Sequence, residues 1–242
     1  MPVEQTGLSS CLDYGQTCLY CQGMATPKLE GSARDRLLAA ATELFYEEGV
    51  HTVGIDRVIE RAGVAKASLY ATFGSKEELV RAYLAGRAEA RQRRITERIA
   101  GIADPRGKIL GIFDLLAEQI AAPTYRGCAF INASAEEPRG GSKVTRACVD
   151  SRAWLRNLFI ELAREAGARD PAALGRRLVL LYDGATIGAA MDRDLGAAAE
   201  AREMAALLLD QHLDQHLDQH LGRGPARRPE QPPGRPRAGR AR

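Results

Sequence analysis

Residues 55–74 read IDRVIERAGVAKASLYATFG. Ile55, Val58, Ile59 and Ala62 fall at helical spacing and give one short apolar stripe, closed by Gly63 and Val64. A second short helix fits Lys66 to Phe73, where Leu69 and Phe73 lie one turn apart and face inward, and it stops at Gly74. The joint between them, Ala62-Gly63-Val64, is the short glycine-containing turn that lets two helices meet steeply while Val64 plugs their shared core. The stretch therefore predicts a helix-turn-helix.

The flanking sequence supplies the rest of a small helical domain. From Arg34 to Glu48 the residues Leu37, Leu38, Ala41, Leu44 and Phe45 repeat at helical spacing, and Gly49 follows where a left-handed cap is wanted. Downstream, Ser75 and Glu78 predict a capping box that opens a fourth helix running to about Ile99. Leu44, Phe45, Ile59, Leu69 and Phe73 are core whether or not the domain touches nucleic acid. The outward face of the third helix carries Lys66, Ser68 and Tyr70, cationic and hydroxyl groups able to reach base edges and phosphates, with small Ala67 and Ala71 permitting close approach.

Residues 34–84, through LLAAATELFYEEGV, IDRVIERAGVAKASLYATF and GSKEELV, resemble the N-terminal domain of the TetR/AcrR family of transcriptional regulators. The resemblance implies that Lys66, Ala67 and Ser68 face bases in the major groove, that Tyr70 and Thr72 hold phosphates, and that Lys76 adds a phosphate contact. A lysine there would reinforce the positive dipole end of the fourth helix. One position departs from the family: Gly54 stands where a phosphate-touching Thr is usual, so Thr52 substitutes or the contact is missing. Asp56 suits a helix start but would repel phosphate, and no contact is assigned to it.

Composition favours an all-α fold, since only 5% of the 242 residues are aromatic while Ala, Leu, Arg and Glu are abundant. The formal net charge is +3, but the last twenty residues carry seven Arg against one Glu, so everything before them is net acidic. Bulk charge gives no argument for nucleic acid, and the segment 32–76 is itself balanced, with six charges of each sign. The expectation rests on where single charges sit.

No stretch approaches the roughly 20 apolar residues of a membrane span, and the first 23 residues lack the charged and apolar regions of a secretory signal. A cytoplasmic protein is expected. Five cysteines are too scattered for a disulfide framework, and Cys18-x-x-Cys21 with Cys11 has no second pair to complete a zinc site. Neither a nucleophile motif nor a phosphate-cradling glycine loop occurs in the folded region, so no enzyme, metal or cofactor is expected.

Beyond the fourth helix, Asp104-Pro105 and Ala122-Pro123 are breaks, and helical patterns cover Cys148 to Ala166, Pro171 to Met191 and Glu200 to about Leu221. On the second of these, Gly184 with Gly188 and Ala185 with Ala189 place small residues one turn apart beside Leu178 and Leu181. They predict a close helix–helix contact across a homodimer interface, with tight packing within one subunit as the alternative. Cys128, Phe130, Asn132 and Trp154 are candidates to line a pocket for an unidentified small effector, although core packing explains them as well.

Asp-Gln-His-Leu occurs three times in residues 210–221, which stacks His212, His216 and His220 at near-helical spacing. A period of four drifts about 40° per step on a helix, so no metal role is assigned to it. The domain expectation is an extension over 1–31, a helix-turn-helix domain over 32–78, a helical effector-binding and dimerisation domain over 79–221, and an Arg/Pro-rich tail over 222–242. The expected function is a ligand-responsive regulator, released from operator DNA by its effector. The alternative is an effector-independent architectural DNA binder or activator.

Overall fold

The computed structural model describes residues 30–137 and 141–220, with side chains described to 213. The described residues form nine α-helices and no strands, as the composition predicts. The helices are α1 (Ala33–Glu48), α2 (Ile55–Ala62), α3 (Lys66–Phe73), α4 (Lys76–Ala100), α5 (Pro105–Ile120), α6 (Ala129–Glu136), α7 (Lys143–Glu165), α8 (Pro171–Met191) and α9 (Ala197–His220). Two compact units result. One holds the described residues up to Gly86 with 132–147, the other 87–131 with those from 148 on.

In the first unit, α1 begins with a capping box: the Ser32 hydroxyl accepts from the Asp35 N–H while the Asp35 carboxylate accepts from the Ser32 N–H. Leu37, Val58, Leu69 and Leu79 are buried at its centre, and Phe45 meets Tyr83 edge-on with centroids 5.7 Å apart. Ile59 and Phe73, expected as core, are only half-buried; Phe73 carries the Arg34 guanidinium over its ring. The Ser75 hydroxyl accepts from the Glu78 N–H as expected, but the return half of that box is not made. The Glu78 carboxylate instead takes Arg81 and Lys143, because two cations outcompete one backbone N–H.

The second unit is built on the packing of α9 against α5 and α8. Asp104 and Asp170 cap α5 and α8, each followed by proline at the first helical position. Phe113, Phe159 and Tyr182 form its aromatic centre, with centroids 5.8 to 6.5 Å apart. The close approach of two helices occurs at Gly175, where an added Cβ would lie 2.4 Å from Cγ1 of Ile160.

The glycines and alanines later on α8 are used differently from expectation. Leu178, Ala185 and Ala189 face the core of their own subunit, Leu178 at 0% exposure, while Leu181 and Gly188 are half-buried; only Gly184 is exposed. The reason is that α8 has two apolar stripes. The stripe with the small residues is taken by α5, α7 and α9, and the other, Leu180, Ile187 and Met191, faces out.

Candidate nucleic-acid interface

The steep joint of α2 and α3 depends on Gly63, which caps α2 in the left-handed conformation at φ 61°. Its N–H donates to the Glu60 carbonyl, and the Val64 N–H donates to Ile59, so the helix end is satisfied while the chain turns. Gly54 caps the start of α2 with no side-chain hydrogen bond. The first N–H groups of that helix are therefore left to an external acceptor at an exposed position.

On α3, Lys66, Ala67, Tyr70, Ala71 and Thr72 are exposed and Ser68 is half-buried, while Leu69 is fully buried and anchors the helix. The structure thus gathers Lys66, Ala67, Ser68, Tyr70 and Thr72 on one short helix, with Thr52 and Gly54 exposed at the entry to α2. The Thr72 hydroxyl donates to the Ser68 carbonyl at 2.6 Å, so holding a phosphate requires it to rotate away.

The charges around this face are paired. Arg57 makes a two-pronged contact with Glu48, and Arg61 does so with Glu43, which ties α2 to α1. Lys66 reaches Asp56 at 2.9 Å, and this carboxylate holds the ammonium pKa above its usual value. Asp56, left without a role in the sequence reading, is thereby the direct partner of the cation that opens α3.

Lys76 is placed less openly than the family resemblance implies. It is half-buried with Nζ 3.4 Å from the His51 carbonyl, and burial lowers its pKa. It lines a pocket of about 150 Å³ with Val50, His51, Glu77, Val80, Glu137 and Val144. Glu136 accepts the His51 N–H at 2.6 Å, and Glu137 stands 3.7 Å from the His51 ring. Arg34, exposed in the first turn of α1 and stacked over Phe73 at 5.7 Å, is a cation that the sequence reading did not single out. Only its position in a first helical turn could have marked it.

The model for bacterial regulatory proteins of the tetR family matches residues 37–83. A TetR-family transcriptional regulator from Streptomyces coelicolor superimposes with a TM-score of 0.65 at 34% identity, over 76% of this chain and 95% of its own. The chain belongs to the TetR family. It is a DNA-binding transcriptional regulator of that family. The transcriptional activator FasR of Mycolicibacterium smegmatis is 30% identical over 55% of this chain and 60% of FasR. The transcriptional repressor NemR of Escherichia coli K12 is 31% identical over 44% of this chain and 55% of NemR.

The candidate effector residues are divided between the two units. Cys128, Phe130 and Trp154 belong to the second unit, with Phe130 buried and the other two half-buried. Asn132 belongs to the first unit and its side chain is exposed. His212 contacts Arg177, while the side chains of His216 and His220, Cys11, Cys18, Cys21 and the Arg-rich tail lie outside the described residues. No helix among the described residues is long and apolar enough to cross a membrane.

Proposed function

We propose that this TetR-family protein is a cytoplasmic homodimeric repressor that binds operator DNA and leaves it when a small effector occupies the second unit. The observation that carries the reading is the exposed face of α3, where small alanines flank Lys66 and Tyr70 beside an uncapped α2 start. Lys66, Ala67 and Ser68 read bases; Tyr70, Thr72, Thr52 and the N–H groups behind Gly54 hold phosphates. Dimerisation spaces two such helices about 34 Å apart for successive major grooves. Release is a population shift, in which the effector favours a dimer whose reading heads are wrongly spaced.

Fluorescence anisotropy on DNA flanking the protein's own gene tests this. The chain is expected to bind specifically, and the Lys66→Ala/Tyr70→Ala variant to lose at least about tenfold in affinity, as the loss of one base and one phosphate contact implies. Equal binding by the variant removes α3 from the interface. The likeness to FasR favours activation as the second reading. Transcription from the same promoter with purified polymerase separates the two: a repressor lowers the transcript, an activator raises it.

A further inference from the structure

Tyr182 is 6% exposed, yet its phenol makes no hydrogen bond among the described residues. A hydroxyl with no protein partner in so enclosed a residue is left to a ligand or water. Its surroundings say what kind. Arg91 lies with its guanidinium carbon 4.9 Å from the centroid of the Phe130 ring and donates to the Ser151 hydroxyl at 2.8 Å and to the Ser151 carbonyl. Its Nε is buried with no acceptor. Arg91 is half-buried and these partners are all neutral, so its charge is left to an anion from outside.

Two contacts bring Arg91 and Tyr182 to one level of the second unit. Arg152, next to Ser151 on α7, pairs with Asp183, next to Tyr182 on α8, at 2.7 Å. The Tyr125 hydroxyl donates to the Thr186 carbonyl one turn along α8, which draws the segment leading to Cys128 and Phe130 over the same turn. Asp183 is already neutralised by Arg152, and Arg94 adds further positive charge to the Tyr182 environment. Burial pushes the Tyr182 phenol up to about 12, so it stays a donor at neutral pH.

We infer that Arg91 and Tyr182 form the head-group site for a small carboxylate effector, which accepts from the Arg91 Nε–H and the Tyr182 hydroxyl and lays its apolar body against the surrounding rings. This inference rests on the reading that the second unit is the effector domain. It adds the chemical class of the effector and the two groups that recognise it.

The chain has one tryptophan, Trp154, packed on this core one turn from Ser151, so its fluorescence reports on the site. Benzoate, phenylacetate and octanoate, each against its neutral amide, are titrated into the full chain by fluorescence and calorimetry. At least one acid is expected to bind, with its amide more than about tenfold weaker, as a charge-assisted hydrogen bond requires. Tyr182→Phe, which removes a single oxygen, is expected to weaken that acid about tenfold, and Arg91→Gln to abolish binding.

No preference for any acid over its amide, or wild-type affinity in the Tyr182→Phe variant, overturns the inference. Should Arg91→Gln fail to fold, Tyr182→Phe alone decides. Operator binding is measured on the same preparations. Acid binding without operator binding sinks the regulator reading and keeps the site, whereas operator binding without acid binding does the reverse.

Discussion

Asp56 and Lys66 close a salt bridge across the helix-turn-helix, with both side chains largely in water. An exposed pair of this kind is worth only about 0.2–1 kcal/mol, little enough for a phosphate to compete for the ammonium. The carboxylate left behind then faces the DNA backbone and repels it. Asp56→Asn is therefore expected to tighten operator binding about fivefold at low salt, a gain that fades as the Debye length shrinks. Anisotropy titrations over a salt series check this, and unchanged affinity at low salt would show that Asp56 does not restrain Lys66. The outward position of Lys66 was legible from the periodicity of α3 alone. Its pairing was not, because Asp56 and Lys66 sit on different helices and meet only through the geometry of the turn. The same holds for Lys76: a helical pattern places it in a first turn but says nothing of the His51 carbonyl that it meets.

Helix identities were readable along most of the chain because each apolar stripe is bounded by a physical stop, such as Gly63 after α2 or Asp170-Pro171 before α8. Which face of α8 would be used was not readable, since both of its faces carry apolar residues and the choice belongs to the partner helices. The small-residue pattern pointed to Gly184 and Gly188, yet the tight crossing of α7 and α8 is at Gly175. There an added Cβ meets not only the Ile160 side chain but also its backbone, at 3.0 and 3.1 Å, which cannot rotate away. Gly175→Ala is expected to push the helices apart and cost about 1–3 kcal/mol, the usual penalty of overpacking. Gly86→Ala in α4 meets nothing within 4 Å and is expected to stabilise by up to about 1 kcal/mol through helix propensity. Denaturant melts of the two variants should move in opposite directions; a parallel shift would mean that propensity rather than packing governs both sites.

For the assembled protein, the outer stripe of α8 is the feature that demands a partner. Leu180, Gly184, Ile187 and Met191 are spaced by four, three and four residues, the spacing of a helix–helix seam, and α9, which packs on α8, also carries exposed Met204 and Leu207. Exposures of 64% for Leu180, 78% for Met191 and 70% for Leu207 are high for large apolar side chains on two helices that pack together. A second copy of the same two helices would cover them with a symmetric, self-complementary patch. Leu180→Glu/Leu207→Glu places four carboxylates in such an interface, two per subunit, where burial without counter-charges is prohibitive. Because these positions face away from the core of their own subunit, the variant is expected to keep its helical circular dichroism. It should sediment as a monomer and bind operator DNA at least about a hundredfold more weakly, since one reading head without its tethered twin loses the effective concentration of the second half-site. A variant that remains dimeric would move the interface elsewhere on the molecule. A monomer that keeps full operator affinity would instead separate dimerisation from DNA reading, and the population-shift mechanism of release would lose its basis.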